Sequence, residues 1–388
     1  MTELHEKYAP ILRFARGESF LPARVEEVLR YCSLYAKDQG APLLRQGQVT
    51  PEQIVARSRS TEVFLRSVDS GPLTGLEVIA GWSRQTVDLV HQWASKAASE
   101  WTENLARKAY SWFSPKTKSA TQLFWWNDLI LPLFETIEQS DRGDFPRLVL
   151  PAETRDDAIE RYRHKRVPPY TYYYRQVQDG QYLCLQYWFF YSYNDWGRTF
   201  DGVNDHEGDW EGLYLFFRLD GWGHPQEPPA YITFPTHESR LTKPWGHKDV
   251  TLVGTHPVGY VGAGSHATYP EAKAYSILAS YNLRDYATGD GPAIDHDQWT
   301  HRIDLDKVSW LTDYRGSWGT RYWLPLEKAK SILGILTTAA PLLRIFTSAA
   351  PDEIELPGVS APRGPRGSGG KERPQWAHPV EWANVPPT

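Results

Sequence analysis

From residue 168 onward the chain is a succession of short aromatic or β-branched runs broken by Gly, Pro and Asp: "TYYYRQV", "QYLCLQYWFFYSY", "GLYLFFRL", "AYITFP", "DVTLVGT" and "PVGYVGAG". Runs so short and so regularly interrupted read as strands, and several of them in succession predict an antiparallel sandwich. The aromatic content belongs to the same feature. The 17 Trp and 22 Tyr bury large areas while keeping a polar handle, which suits β cores, sugar-binding surfaces and membrane interfaces alike. For any single ring, core packing is the default.

Upstream the texture differs. "YAPILRFARGESFLPARVEEVLRY" reads as a short strand over 11–14, a turn at Gly17, a break at Pro22 and a helix carrying Val25, Val28 and Leu29 on one side. Residues 50–165 read as helical. Val90, Trp93, Ala97, Trp101, Leu105, Ala109 and Trp112 recur every three or four positions, with Lys96, Glu100, Glu103 and Lys108 between them, as far as Ser114 and Pro115. "TQLFWWNDLILPLFETIEQ" predicts a second helix bent at Pro132. The Trp-rich face of this block would dock on a sheet or meet a membrane. The expected class is therefore α+β, an antiparallel β-sandwich core with a large helical insertion. Residues 1–49 supply the first strand and helix of the core, 50–165 the insertion, 166–356 the sandwich, and 357–388 a Pro/Gly-rich tail whose Trp376 and Trp382 fold back as anchors.

Charge and cysteine usage narrow the function classes. With 42 basic against 47 acidic residues, a net charge of −5 and no strongly basic half, non-specific nucleic-acid binding has little support. Cys32 and Cys184 alone make neither a disulfide framework nor a zinc-thiolate site, and such sparse usage fits a reducing compartment. "MTELHEKYAPILRF" lacks the pattern of a signal peptide. The greasiest stretch, 331–346, contains Pro341 and Arg344 and falls short of the roughly 20 residues that span a bilayer. A soluble protein, cytoplasmic or peripheral to a membrane, is expected.

The chemistry concentrates in "NDHEGDWEGLYLFF", residues 204–217. On a strand Asp209 and Glu211 share a face and Trp210 takes the other, while His206, in the preceding turn, reaches the acidic side. Two carboxylates and an imidazole at one point call for a cation or a proton among them. Oxygen-rich ligation favours Mg²⁺, Ca²⁺ or Mn²⁺, and the histidine keeps Zn²⁺ or Fe²⁺ in play. The alternative is a solvated acidic hairpin end. Glu207 is expected on the opposite side of the strand and is a poor first choice for catalysis.

"HEGDWE" resembles the signature of the vacuolar-protein-sorting family numbered sixty-two and, more distantly, the His-x-x-Asp-Trp-Glu heptapeptide of the microbial necrosis-inducing toxins. The likeness to the sorting family extends to "YAPILRFARGESFLPARVEEVL" (Tyr-Ala-Pro, then Glu, then Pro, then Val-Glu), to "GYVGAGSHATYP", and to "YRGSWG" and "APRGPRG…W…HPVEW". These motifs bracket nearly the whole chain except 50–165. The toxin likeness implies a β-sandwich whose heptapeptide holds a divalent ion near a polar lipid-headgroup pocket. Its first His falls on His206, its Asp on Asp209 and its Glu on Glu211. Its second His is Gly208 here, and its upstream Asp is best matched by Asp195, with Asp201 competing.

His266, after a glycine-rich strand end, and His237, after another, are candidates for ligand, acid–base group or headgroup donor; a neutral His bonded to a loop carbonyl is the bland alternative. His247 and His256 read as structural. Asp285, Asp290, Asp295 and Asp297 read as an acidic surface loop rather than a second calcium site. No Gly-x-Ser-x-Gly elbow, His-Glu-x-x-His or phosphate loop is present, and "GYVGAG" lacks the helix of a dinucleotide fingerprint. Three functions follow: metal-dependent binding of a phosphate or sugar headgroup in a trafficking or toxin-like protein, a metal-dependent hydrolase or phosphodiesterase using His266 or His237 at the same site, or a structural protein without metal.

Overall fold

The computed structural model describes residues 3–37, 39–68, 71–80, 150, 152–162, 169–196, 205–236, 239–278, 283–325, 353–355, 360–368 and 371–387. Its centre is a six-stranded sheet in the order Trp299–Asp304, Tyr170–Asp179, Tyr182–Asn194, His206–Arg218, Tyr231–Thr236 and Ser239–Pro244. The two middle strands are the longest, 13 residues each. They are buried on both faces and accordingly read as continuous aromatic and aliphatic runs rather than as alternation.

Each face of this sheet has its own core. Leu185, Tyr187, Phe189, Leu213, Leu215 and Phe217 point to one side, where they meet Leu12, Val261 and Ile294 of a second sheet built from Thr268–Tyr269, His256–Val261, Ile11–Arg13 and Ala293–Ile294. Trp188, Phe190, Trp210, Tyr214 and Phe216 point to the other side. They are covered by the Val25–Leu29 helix, the paired strands Ser33–Ala36 and Val63–Arg66, Trp318 and the C-terminal Trp376. Trp376 lies tilted against Trp188 and under the Arg175 guanidinium, while Trp382 tilts onto Tyr214. The tail docks because those two rings bury apolar area that its Gly/Pro-rich approach does not offer.

Strands in several sheets with few, short helices are what the described residues show. Two expectations need correction. Pairing is not strictly antiparallel: Trp299–Asp304 runs parallel to Tyr170–Asp179, and Ile11–Arg13 parallel to His256–Val261. Nor is the block from residue 50 uniformly helical. The Pro51–Ser58 helix opens on a Thr50–Gln53 capping box, but Val63–Arg66 is a strand with all four residues buried. The amphipathic and Pro132-bent helices expected within 81–149 lie outside the described residues, as do the 331–346 stretch, Asp201 and His237. Among the described residues no helix is long and apolar enough to cross a membrane.

Candidate functional site

The His206–Arg218 strand begins with a reversal of its own alternation. Residues 207, 209 and 211 have the same parity, so simple alternation would put Glu207 with Asp209 and Glu211. Gly208, at φ 63°, breaks the pattern. Across the ladder Asp209 pairs with Tyr191 and Glu207 with Tyr193, and those tyrosines fall in opposite cores. Glu207 thus leaves Asp209's side, as expected, but by a left-handed glycine rather than by parity. The same break swings His206 and its pair Asn194 toward Asp209. A Cβ at Gly208 would collide with the Trp318 carbonyl, and one at Gly319 with the Glu207 carbonyl. The "SWG" turn therefore locks against the strand through two glycines, and the histidine that the toxins place at this position has no room here.

On the Glu207 side the carboxylate is saturated. Oε1 accepts from Ser67 N at 2.7 Å, Val68 N at 2.8 Å and Ser67 Oγ at 2.9 Å, and Oε2 faces Thr320 Oγ1 at 3.5 Å. Burial pushes its pKa up despite the nearby Arg66 and these donors.

On the other side acids gather round one imidazole. His266 is fully buried, with Nδ1 donating to Asp209 Oδ2 at 3.3 Å and Nε2 lying 3.5 Å from Glu18 Oε1. Its ring stacks on Tyr191, centroids 3.9 Å apart and planes 2° from parallel. Burial alone would lower its pKa, but the Asp209 and Glu18 carboxylates outweigh it and raise it to about 9. At neutral pH His266 is an imidazolium. Its backbone has φ 60°, an arrangement that costs a non-glycine residue about 1 kcal/mol and that these contacts hold in place. The "GAGS" turn before it permits close approach: a Cβ at Gly262 would overlap the Asp285 carboxylate, and one at Gly264 the Asp195 carbonyl.

Glu18 is buried and tied down by Ser19 N at 2.8 Å, Phe20 N at 3.0 Å and Gly264 N at 3.0 Å. Burial opposes its ionisation, yet His266 and these donors bring its pKa below the ordinary value. Glu211, half-buried, makes no hydrogen bond among the described residues. Burial and then the charge of Asp209 drive its pKa well up, with Asp285 adding to the repulsion while His266 and Arg373 offset part of it. Asp285 is not on a surface loop, contrary to expectation. It is fully buried and accepts from Ser265 Oγ at 2.5 Å and Tyr269 OH at 2.9 Å. Asp290 and Asp297 are exposed. His256 bonds the Ala9 carbonyl at 2.8 Å and His247 faces Asp249 at 3.5 Å, neither near the cluster's acids.

Four residues were the candidate metal ligands, and the structure separates them. His206 Nδ1 lies 3.0 Å from the Gly208 carbonyl, which can only accept, so Nδ1 carries the proton. Burial lowers the ring's pKa, against the pull of Asp209 and the backbone carbonyl contacts. His206, Asp209 and Glu211 keep side-chain donors of the types that suit a divalent ion. Asp195 does not. Its buried carboxylate is clasped by Arg155, Nε to Oδ1 at 2.5 Å and a terminal nitrogen to Oδ2 at 2.9 Å, a bidentate pair that satisfies both oxygens. Among the described residues no group of three His, Cys, Asp or Glu side chains stands ready to hold a metal ion. His266 is likewise ill-placed for proton transfer to a substrate, being buried, charged and engaged on both sides. Glu18 is the member that spacing arguments miss, because it comes from the far end of the chain. Its signal was the Glu of "YAPILRFARGESFLP", present in the sorting-family pattern with no role attached.

No family model matches the chain, and no curated protein matches it; the sorting-family resemblance therefore rests on the quoted motifs alone. Among solved structures the chain is similar in part to necrosis and ethylene inducing protein 2 from the causal agent of cocoa's witches' broom disease, at 14% identity and a TM-score of 0.25, covering 47% of this chain and 68% of that one. It is also similar to NLPPya in complex with glucosamine, at 11% identity and a TM-score of 0.23 over 37% of this chain and 56% of that one, and to the non-toxic HaNLP3 protein, at 13% and 0.24 over 37% and 57%. A likeness of this size carries no weight for fold or function, and the site is read from its own geometry.

Proposed function

We propose that the protein binds a polar small ligand, hydroxyl-rich or cationic, at the Asp209–Glu211 edge of two sheets arranged as a sandwich. The observation that carries this reading is an imbalance of charge. Glu18 and Asp209 flank one imidazolium, and at the half-buried Glu211 burial first, and then the charge of Asp209, opposes ionisation. A cation or a set of hydroxyl donors at Glu211 would relieve that repulsion. An anionic phosphate would meet like charge there, so a sugar or amino-sugar headgroup is favoured. A phosphate could be taken only through a divalent ion on Asp209, Glu211 and His206, which is the form the metal-dependent reading takes here. Asp195 has no part in it. The clamped state of His266 argues against it as the acid–base group of the enzyme reading, whose other candidate, His237, lies outside the described residues. Trafficking and toxin-like roles belong to the resemblance.

The test is calorimetric titration of the full chain with Mg²⁺, Ca²⁺ or Mn²⁺ alone, with glucosamine and glucose alone, and with each sugar plus ion. Asp209→Asn and Glu211→Gln should each weaken the responding arm about tenfold or more. Heat from no arm, or heat unchanged by both substitutions, overturns the reading.

A further inference from the structure

A second site lies on the opposite face of the sheet. A cavity of about 910 Å³ opens between the end of the Pro51–Ser58 helix, the Ser309–Asp313 helix, the Ser239–Pro244 strand and the C-terminal helices Pro374–Ala377 and Pro379–Trp382. That is within the usual range, roughly 300–1,000 Å³, for small-molecule sites. Its walls carry Arg59, Arg240, Arg315 and Arg366, with Trp382 and His378 beside them. Trp382 packs on Tyr214, whose side chain points away from the Asp209 side of the strand.

The cations here are unevenly matched. Arg366 serves two wall acids, Glu372 at 2.8 Å and Asp313 at 3.6 Å. Among the described residues Arg59, Arg240 and Arg315 have no ion pair, and Glu381 is the further carboxylate on the wall. Arg240 is the informative one. Its guanidinium lies 5.9 Å from the centre of the Trp382 ring, and its Nε is buried with no hydrogen-bond partner among the described residues. A buried N–H donor without an acceptor is costly, and a guanidinium presents its donors in a fork that suits an oxyanion.

We infer that this cavity binds a compact polyanion carrying at least two phosphate groups. One phosphate is held at Arg240 beside Trp382 and another reaches Arg59 and Arg315. The chemistry is opposite in sign to that at Asp209 and Glu211, and the inference is independent of the ligand proposed there. A phosphorylated headgroup can be free in solution or displayed on a membrane, so two probes are needed: inorganic tripolyphosphate in solution, and phosphatidylcholine vesicles doped with a bisphosphorylated inositol lipid.

The experiment titrates the full chain with tripolyphosphate by calorimetry at fixed ionic strength and measures co-sedimentation with the doped vesicles. Variants are Arg240→Gln, the double Arg59→Gln/Arg315→Gln, and Arg284→Gln on the distant Lys273–Leu278 and Leu283–Ala287 hairpin as a control for general electrostatics. Each variant's thermal melt establishes that it is folded. Binding in either arm, weakened about tenfold by Arg240→Gln and by the double substitution but untouched by Arg284→Gln, supports the site and names the source of the phosphate. Absence of binding in both arms, survival of binding in both cavity variants, or an equal loss in Arg284→Gln overturns it.

Discussion

Glu207 and Glu211 stand four residues apart on one strand, and the fold treats them in opposite ways. Around Glu207 it supplies two backbone N–H groups and a hydroxyl at 2.7–2.9 Å. To Glu211 it offers further acids and no hydrogen bond among the described residues. A carboxylate whose acceptor capacity is filled from within is a structural tie. One left half-buried beside Asp209 is a place where something else can bind. Counting acidic residues in "HEGDWE" does not distinguish the two; counting their donors does.

The largest effect should come from breaking the saturated side. Glu207→Ala strands the Ser67 and Val68 donors in a buried setting and should cost about 3 kcal/mol or more, measured by urea denaturation. A loss under about 1 kcal/mol would mean that water or relaxation replaces the carboxylate and that the two acids differ less than their contacts indicate.

The next effect is on pH dependence. The His266 pKa, about 9 in the fold against 6.5 for the unperturbed side chain, is raised on folding. The stability it contributes is complete below pH 6.5 and is lost as pH rises through 9. Denaturation midpoints should fall over that interval by the equivalent of about 3 kcal/mol, and His266→Gln should flatten the fall. A slope identical in the two proteins would remove the imidazolium from the centre of the cluster.

The smallest effect is the sharpest test of the contrast. Because Asp209 and burial disfavour the ionised form of Glu211, Glu211→Gln should leave stability at neutral pH unchanged or raise it by up to about 1 kcal/mol, the lower end being set by solvent screening at a half-buried position. The same substitution should weaken ligand binding. A variant at 211 that loses stability as Glu207→Ala does would place both acids in the structural class.

Much of the strand framework could be read from residue order. The Tyr- and Phe-rich runs at 170–179, 182–194 and 206–218 are strands because β-branched and aromatic side chains fill both faces of a covered sheet, and "GYVGAGSHATYP" flagged His266. Other features were not legible from spacing. Asp285 sits in a stretch rich in Gly and Asp, the composition of an exposed loop, yet pairing with Lys273–Leu278 carries it under Ser265 and Tyr269. Asp195 follows its aromatic strand as a ligand would, and only the arrival of the Ala152–Tyr162 helix gives it to Arg155. Glu18 is 191 positions from Asp209 in the numbering, a separation no local periodicity spans.

Residue order by itself determined that acids and an imidazole would crowd one strand end, since composition and the two-residue repeat of a strand are local properties. Which of those acids belong together was decided in three dimensions. Gly208 reverses the faces because the Trp318 turn presses against it, and His266 draws Glu18 and Asp209 to itself because burial makes an unpaired charge too costly to leave standing.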